Sequence, residues 1–140
     1  MKIYQCIEIS AEVIIAFNEL IPQLNEESKT PSKDYLDEII NSKNSYIFLA
    51  EEEKIVGTLT LIINQMPSGK KAWIEDVVVN SKMRGRGIGE KLIEFAVEFA
   101  KKHEISKIDL SSKPERIAAN NLYKKLGFKQ RETNVYRLKF

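Results

Sequence analysis

The chain has 140 residues, of which 43% are hydrophobic and 30% charged, the size and composition of one soluble folded domain over residues 1–140. Its net charge of +2 gives no reason to expect a nucleic acid or a membrane as a partner. The single cysteine, Cys6, excludes an internal disulfide, and no apolar run approaches the roughly 20 residues of a membrane span. We therefore expect a cytoplasmic protein, since reducing compartments suit a chain without disulfides.

The first third of the chain is predicted to form a strand followed by two helices. Residues 2–9 alternate between apolar and polar side chains, as a half-buried strand does. Ser10 can accept a hydrogen bond from the first turn of a helix over 11–24, which Pro22 should end or kink. After a polar loop, Ser32 can open a short second helix whose first turn is acidic, as the macrodipole favours.

Three strands and a long helix are predicted in the middle of the chain. Residues 45–52 and 54–64 have the pattern of two strands joined by a charged turn, and the stretch 65–71, with its proline and glycine, predicts a loop. The β-branched run 72–80 predicts a third strand, because it is too short for a stable helix. Over residues 87–100 apolar side chains recur every three or four positions, which is the period of a helix.

The last part of the chain completes a mixed sheet. Residues 107–112 predict a strand, and residues 114–127 a helix that Gly127 ends in a left-handed conformation. Residues 128–140 predict one or two closing strands. Antiparallel hairpins beside a parallel strand–helix–strand crossover over 72–112 indicate a mixed α/β fold.

Residues 84–89, Arg-Gly-Arg-Gly-Ile-Gly, combine three glycines with two arginines between the third strand of this middle part and the long helix. A Walker loop that started at Gly85 would need glycine at Glu90, and a dinucleotide fingerprint would need a third glycine at Glu90 or Leu92. A short basic loop ahead of a helix N-terminus remains, and backbone N–H groups there bind phosphate oxygens. Glycine lets the backbone approach closely, and arginine adds charged donors. The loop therefore predicts an anion site, with a pyrophosphate as the best candidate.

These six residues resemble the Arg/Gln-x-x-Gly-x-Gly/Ala signature of the GNAT superfamily of N-acetyltransferases. The stretch 74–80, Ile-Glu-Asp-Val-Val-Val-Asn, is similar to the fourth strand of that family. Residues 118–128 are similar to its second motif, in which a helix carries a tyrosine shortly before Gly-Phe. The resemblance implies a single-domain fold with a mostly antiparallel twisted sheet, a central parallel and splayed strand pair, and about four flanking helices.

The resemblance also implies acetyl-CoA as the donor substrate. In the family the loop holds the pyrophosphate, and the pantetheine arm lies between the two splayed strands, here 73–80 and 106–112. The implied donor-binding residues are Val77, Val78, Val79, Arg84, Gly85, Arg86, Gly87, Ile88, Gly89, Glu90, Asn120 and Tyr123.

Tyr123 is implied to be a catalytic residue by the same resemblance. It aligns with the tyrosine that protonates or stabilises the leaving thiolate, which departs more easily when a donor meets it. Asn120 precedes it by one helical turn and so shares its face, from which it can reach the donor. The alternative for Tyr123 is a core aromatic residue.

Glu75 is the first candidate for the general base that deprotonates the amine. Glu75 and Asp76 lie in an otherwise apolar strand, which is costly unless they are used or paired. Strict alternation puts them on opposite faces, with Glu75 on the face of Val77 and Val79. A paired structural carboxylate is the alternative. Some family members place the acid on the next strand, which here reads Asp109-Leu-Ser-Ser, so the identity of the base stays open.

The acceptor is predicted from the uneven distribution of charge. Residues 1–53 hold eleven acidic residues against four lysines, whereas residues 113–140 hold eight basic residues against two acidic ones. In the family the first two helices wall the acceptor pocket, so a small cationic amine or a basic peptide amine is one prediction. The alternative is a solvated acidic face.

Two further functions stay open. The stretch 73–89 is similar to that of eukaryotic glucosamine-phosphate N-acetyltransferases, which implies an amino-sugar phosphate acceptor. A non-catalytic acyl-CoA sensor would keep the loop but lose the tyrosine. No cluster of side chains has the spacing of a metal site, no nucleic-acid or membrane partner is indicated, and the closing strand can pair across a homodimer.

Overall fold

The computed structural model describes all residues from 1 to 140. They form two compact units, Met1–Leu110 and Ser111–Phe140. The single domain expected from the sequence stays a prediction. No helix is long and apolar enough to cross a membrane.

The first unit contains a five-stranded sheet and three helices. In chain order its elements are β1 (Lys2–Gln5), α1 (Ala11–Leu24), α2 (Lys33–Asn41), β2 (Ser45–Glu51), β3 (Ile55–Met66), β4 (Gly69–Val79), α3 (Ile88–Lys102) and β5 (Ile108–Asp109). The strands follow one another in the order β1-β2-β3-β4-β5, with antiparallel pairing up to β4 and parallel pairing between β4 and β5. The mixed sheet with a parallel pair joined by a helical crossover is therefore confirmed.

Both N-terminal helices begin where the sequence predicts. The Ser10 hydroxyl accepts a hydrogen bond from the Val13 N–H at 3.3 Å, and the Ser32 hydroxyl accepts one from the Tyr35 N–H at 3.1 Å. Pro22 was expected to end or kink α1; it does not end the helix, which continues to Leu24 as predicted, and a kink stays a prediction. Pro22 has no N–H for the carbonyl of Asn18, but Asn18 is exposed, so water can hydrogen-bond to that carbonyl.

Strand boundaries differ from the prediction in three places, one of which is the strand expected over 107–112, since β5 contains only Ile108 and Asp109. The first strand was expected over 2–9 but ends at Gln5, because the chain turns into the Ser10 cap. The stretch 65–71 was expected to be a loop, yet β3 runs to Met66 and β4 begins at Gly69. Gly69 has a φ of +125°, a conformation that favours glycine, and it lets two long strands join through a two-residue turn.

The two faces of the sheet carry different helices. Leu49 of β2 and Val78 of β4 lie in one core cluster with the apolar residues of α1 and α2. Phe48 points to the other face, where its ring lies 5.0 Å from that of Phe95 and 5.1 Å from that of Phe99, both on α3. Residues that are paired across neighbouring strands have their side chains on the same face of the sheet. These contacts therefore show whether each paired residue of β3 and β4 lies on the face covered by α1 and α2 or on the face covered by α3.

The second unit contains one helix, α4 (Ile117–Lys125). Gly127 ends it with a φ of +96°, as predicted, and the Phe128 N–H bonds back to the Tyr123 carbonyl at 3.0 Å. The helix starts three residues after the predicted Pro114. The closing strands expected over 128–140 are wrong, because no strand follows α4. The segment has strand-forming residues but no hydrogen-bonded partner strand, and an isolated strand is not stable in water.

Candidate active site

Strand β4 carries a bulge where the two carboxylates lie. Thr58 pairs with Val78 and Thr60 pairs with Glu75, so one residue of β3 faces two of β4. Asp76, inside this bulge, has a φ of +52°, an unusual value for a residue other than glycine. Such a conformation persists only where the surroundings impose it, and it often accompanies function.

The bulge corrects the predicted face of Glu75. Thr58 and Thr60 point to the same face of β3, so their partners Val78 and Glu75 share that face too. Val78 packs in the α1/α2 core, and Glu75 is exposed on the same side of the sheet. The expectation that Glu75 lies with Val77 and Val79 is therefore wrong, because the extra residue reverses the alternation.

The C-terminal half of β4 leaves one edge open. Pairing with β5 is confined to Ala72 and Trp73. The Asn80 N–H donates to the Val56 carbonyl of β3 at 2.8 Å, so by alternation the backbone groups of Val79 and Val77 point to the other edge. An extended chain of amides can bind there. This geometry supports the predicted role of the Val77 and Val79 backbone.

Because of the same alternation, Val78 has no backbone group that points to the open edge, where it could contact the donor. Its backbone groups point towards β3, and its side chain is 4% exposed in the α1/α2 core. Val78 therefore fixes the strand on the sheet, and the predicted contact is better assigned to the two neighbouring valines.

Residues 80–89, here called the donor loop, form a turn at the end of β4, which we call the cradle because of the anion site predicted there. A 3₁₀ turn over Ser81–Met83 leads to Gly85 and Gly87, with φ of +79° and +76°. A Cβ at either glycine would meet nothing within 4 Å, so these positions require glycine for backbone conformation and not for space. The cradle is built from consecutive backbone groups, which suits a phosphate.

The donor loop ends at the N-terminus of α3, which no side chain caps. Gly87 is the N-cap residue and makes no side-chain cap bond, and the N–H groups of Ile88 and Gly89 come before the first intrahelical bond, from Lys91 to Gly87. Uncapped N–H groups and the helix dipole together bind anions. A pyrophosphate therefore fits the residues that are present.

Two arginines flank the cradle. Arg84 and Arg86 are both exposed. Arg84 donates from Nε to the Val79 carbonyl at 3.3 Å, which bends its side chain back over the end of β4. Positive charge thus lies beside the cradle and beside the open edge, where a negatively charged ligand gains most.

The donor loop is anchored to α1 by two hydrogen bonds that the sequence did not indicate. The Asn80 side chain, in a residue only 3% exposed, donates to Glu19 Oε1 at 2.6 Å, and the Ser81 N–H donates to Gln23 Oε1 at 2.8 Å. The bond from Asn80, and then the one from Lys54, hold the pKa of Glu19 below its usual range. The spacing of Glu19 and Gln23 by four residues puts both on one face of α1, but no local signal links them to a loop some sixty residues later.

The carboxyl group of Asp76 is electrostatically unusual. The residue keeps an exposed surface, yet partial burial of the carboxyl raises the pKa of Asp76. A carboxylate with a raised pKa is a stronger base and holds a proton closer to neutral pH. Asp76 is therefore, beside Glu75, a second carboxylate with properties that matter for the chemistry of the site. The alternation of side chains in the sequence could not distinguish the roles of these two residues.

The second unit holds the two remaining predicted residues, both on α4. Tyr123 is 9% exposed, and its ring packs edge-on against Phe128 at 6.0 Å. Burial raises the pKa of Tyr123, while Arg116 acts in the opposite direction. The phenol therefore stays protonated at neutral pH, as a proton donor must.

Asn120 has a structural partner within the second unit. Its side-chain N–H donates to the Lys113 carbonyl at 2.9 Å, closing the turn ahead of α4. Its predicted contact with the donor stays a prediction. No group of three or more His, Cys, Asp or Glu side chains lies close enough to hold a metal ion.

Comparison with known proteins assigns the family that this fold and cradle indicate. Residues 14–128 match the model of the acetyltransferase (GNAT) family, and the chain belongs to that family. The resemblance drawn from the donor loop is thus confirmed.

Three relatives illustrate the match. Streptothricin acetyltransferase of Escherichia coli is 32% identical over 108 residues, which are 76% of this chain and 60% of that protein. Glucosamine 6-phosphate N-acetyltransferase of Arabidopsis thaliana is 28% identical over 129 residues, 85% of each protein. The structure of a putative acetyltransferase from Agrobacterium tumefaciens strain C58 superposes with a TM-score of 0.86 over 99% of this chain and 100% of its own, at 24% identity. The chain spans 60% of the first of these relatives and 46% of the human N-acetyltransferase 8B.

Proposed function

We propose that this protein is an N-acetyltransferase that moves the acetyl group of acetyl-CoA to a primary amine within a ternary complex. The observation that carries the proposal is the uncapped N-terminus of α3 behind Gly85 and Gly87, at the end of the open edge of β4. A pyrophosphate fits the helix end, and the amides of a pantetheine arm fit an unpaired strand edge. Coenzyme A carries both groups in one molecule.

The proposed reaction is a direct attack on the thioester. The amine nitrogen bonds to the carbonyl carbon and loses a proton, while the carbon–sulfur bond breaks and the sulfur takes up a proton. An N–H group of the open β4 edge stabilises the negative charge that develops on the carbonyl oxygen. The products are the acetylated amine and the free thiol of coenzyme A.

Tyr123 supplies the proton to the sulfur in this proposal. Its raised pKa keeps the phenol protonated over the working pH range, and burial of its ring holds it in one orientation. Tyr123→Phe keeps the ring and removes the donor. We expect kcat to fall about 10²-fold or more with little change in the KM for acetyl-CoA. An unchanged kcat would remove Tyr123 from the mechanism.

Glu75 is proposed as the general base, with Asp76 as the alternative. Glu75 is exposed on the face where α1 and α2 pack, which the family uses for the acceptor. Asp76 has the raised pKa and the constrained backbone. The variants Glu75→Gln and Asp76→Asn distinguish them, because only loss of the base abolishes the acidic limb of the pH–rate profile. If both variants keep that limb, neither carboxylate is the base.

The donor cradle is tested by charge reversal. Arg84→Glu puts a carboxylate beside the proposed pyrophosphate, and we expect the Kd for acetyl-CoA measured by calorimetry to rise at least tenfold. Lys43→Glu makes the same change of charge at an exposed residue outside the cradle and serves as the control. Equal affinities in the two variants would refute the cradle assignment.

The same assays separate an enzyme from a sensor. An enzyme releases coenzyme A thiol with at least one amine in a panel of polyamines, amino acids, amino sugars and basic peptides. A sensor binds acetyl-CoA with the same dependence on Arg84 but releases no thiol with any of them.

For the acceptor we propose a small cationic amine. Glu26 and Glu27 are exposed between α1 and α2, and Asp34 and Glu38 are exposed on α2, whereas Asp37 is paired with Lys33 at 2.7 Å. Four exposed acidic residues on or beside these two helices favour a positively charged ligand. An acceptor panel in which a second cationic group leaves kcat/KM unchanged would exclude this idea.

An amino-sugar phosphate is the second candidate. The match to the Arabidopsis glucosamine 6-phosphate N-acetyltransferase over 85% of each chain favours it. Glucosamine 6-phosphate and glucosamine differ only in the phosphate, so a preference for the phosphorylated sugar supports this candidate and contradicts the cationic one.

A further inference from the structure

The face of the sheet that carries Glu75 is only partly covered by helices. Val78 is buried against α1 and α2, whereas Glu75 is exposed and Trp73 is half-buried. Trp73 pairs with Ile62 and Glu75 pairs with Thr60, and these two partners are two residues apart on β3. Paired residues share a face, so Trp73 lies on the same side of the sheet as Glu75. The proposed base therefore has an aromatic ring two residues away on its own face.

An ion pair lies beside this ring. Asp109 of β5 is the register partner of Trp73, and its carboxylate accepts a hydrogen bond from the Lys71 ammonium at 3.3 Å. Lys71 precedes Trp73 by two residues and so shares its face. The Lys71 Nζ lies 6.0 Å from the centre of the Trp73 ring, which is within the range of a cation–π contact. Lys71, Trp73 and Asp109, here called the platform, thus already hold one ammonium group against an indole and a carboxylate.

The ion pair of the platform is shielded from solvent. Its lysine side chain is 32% exposed and its carboxylate side chain 19%, whereas the lysine of each of the other three ion pairs is at least 58% exposed. Partly buried charges are screened less by water and salt than exposed ones. The platform can therefore recognise a charged group more strongly than the other ion pairs can.

The platform lies at a defined distance from Glu75. Two residues along a strand are about 7 Å apart and neighbouring strands about 5 Å, so the Cα atoms of Asp109 and Glu75 are roughly 8 Å apart. An extended chain of about four or five methylene groups spans a comparable distance between two nitrogen atoms. The Trp73 ring lies between the two carboxylates, where it can contact both the apolar chain and the cation at its end.

We propose that the platform binds the second cationic group of the acceptor, which makes linear diamines the preferred acceptors. This inference rests on the proposed function, with the reacting amine near Glu75. The distal ammonium of the diamine donates to the Asp109 carboxylate and lies against the face of Trp73. In the free protein the Lys71 ammonium takes this place, so Lys71 competes with the diamine and turns outward when the diamine binds.

Competition by Lys71 distinguishes this role from a structural one. Lys71→Met and Asp109→Asn break the same ion pair, so a pair that only stabilises the sheet predicts similar effects from both changes. In a diamine subsite, Asp109→Asn removes the partner of the ligand, whereas Lys71→Met removes its competitor. The two variants should therefore change the preference for diamines in opposite directions.

The first experiment measures thiol release from acetyl-CoA with diaminobutane and with butylamine, which has the same carbon chain but one amine. The quantity compared is the ratio of kcat/KM for diaminobutane to that for butylamine. Asp109→Asn should lower this ratio about tenfold, because a charge-assisted hydrogen bond is lost. Lys71→Met should raise it about threefold or more, because the diamine no longer displaces an internal cation.

The aromatic part of the platform is tested by two substitutions of one residue. Trp73→Leu keeps an apolar side chain but removes the ring, and it should lower the ratio. Trp73→Phe restores an aromatic face and should recover most of the preference. Circular dichroism confirms that each variant is folded. Equal ratios in Trp73→Leu and the parent would contradict the contact between the ring and the cation.

Two matched controls lie outside the platform. Lys70→Met makes the same change at the neighbouring exposed lysine, which points to the other face of β4. Glu98→Gln breaks an ion pair with Lys101 on α3. Both variants should keep the ratio of the parent. A ratio that stays the same in Asp109→Asn and Lys71→Met, or that changes in the same direction in both, would overturn the inference and leave the proposed function standing. A parent that releases no thiol with any amine would contradict the proposed function itself, and the inference with it.

The second experiment needs no acetyl transfer. Trp73 is the only tryptophan of the chain, so its fluorescence reports directly on the platform. In the presence of coenzyme A, diaminobutane should change the emission in a saturable way, because a cation beside the indole alters its electrostatic environment. The apparent Kd should rise about tenfold in Asp109→Asn and fall in Lys71→Met. Butylamine should give no saturable change, and an identical response to both amines would overturn the inference.

Discussion

The donor loop and the layer of side chains between β3 and α3 use glycine for opposite reasons. A Cβ on Gly57 of β3 would lie 3.2 Å from Leu92 Cδ1 and 3.3 Å from the Val78 carbonyl, and its φ is ordinary. Gly87 has open space around it and a φ of +76°. The first glycine lets a helix approach a strand, and the second lets the backbone turn its N–H groups outward.

Because of this difference, we expect substitutions in the β3–α3 layer to affect stability and substitutions in the donor loop to affect ligand binding. The β3–α3 layer is buried and apolar, so substitutions there change the free energy of unfolding. Gly85 and Gly87 of the donor loop are exposed, so substitutions there change the presentation of backbone groups more than the packing. Four substitutions test whether the effects on stability and on ligand binding are independent.

Leu92→Ala should have the largest effect on stability. Leu92 is fully buried on α3, so its truncation leaves a cavity and lowers the free energy of unfolding by about 2–5 kcal/mol. Urea unfolding measures the loss, and donor affinity of the folded fraction should be unchanged. Ile117→Ala, at an exposed position on α4, should change stability by less than about 0.5 kcal/mol. A large loss of donor affinity in Leu92→Ala would show that the layer and the loop are coupled.

Asn80→Ala should affect both properties. It removes the bond to Glu19 and the acceptor for the Lys82 N–H, and we expect a loss of about 1–3 kcal/mol in stability. The donor loop would lose its connection to α1, so the Kd for acetyl-CoA should rise several-fold. Gln23→Ala removes only the bond to Ser81 and should produce a smaller change in each measurement. Unaltered donor binding in Asn80→Ala would mean that the connection has no role in the cradle.

Gly87→Val should weaken donor binding more than it weakens the fold. A side chain other than glycine in the left-handed region is strained by about 1–2 kcal/mol, and a β-branched one is the least tolerated. If the loop relieves this strain by turning its N–H groups away, the Kd for acetyl-CoA should rise about tenfold or more. Gly87→Asn is the matched variant, because asparagine tolerates this conformation, and it should bind more tightly than Gly87→Val. Equal binding by the two variants would contradict the conformational argument.

Asp76→Asn should give a small increase in stability at neutral pH. Burial raises the pKa of Asp76 in the folded protein, so folding favours the protonated carboxyl. That contribution is fully present below about pH 4, the usual pKa of an aspartate, and is lost as the pH rises through the raised pKa. Asparagine stays neutral and tolerates a positive φ, so the variant should melt higher than the parent at pH 7 and similarly at pH 3.

The control for this variant is Glu104→Asn, which replaces the only other non-glycine residue of positive φ, at +61°. An increase of equal size there would indicate a backbone effect and not the ionisation of Asp76.

Much of the local structure was predictable from short stretches of sequence. Ser10 and Ser32 cap their helices, Gly127 ends α4, and residues 84–89 form the turn into α3. Each of these features depends on residues within about one helical turn, so the sequence pattern contains the physical cause. Family membership followed from two such local motifs.

Features that depend on distant partners were missed or wrong. The β4 bulge shows only in the register of Thr58 and Thr60 against Val78 and Glu75, and it reversed the predicted face of Glu75. A prediction that assumes strict alternation of side chains between the two faces cannot detect an inserted residue. Here the two neighbouring residues are both acidic, so the pattern of polar and apolar residues gives no sign of the bulge.

The sequence by itself determined the two serine-capped helices, the existence of the five strands of the first unit, the glycine-rich turn into α3 and hence the family, because each follows from neighbouring residues. Only the tertiary structure decided the open edge of β4 and the anchoring of Asn80 by Glu19. These depend on which strand lies beside which, and hydrogen bonds between segments some sixty residues apart have no local signal in the sequence.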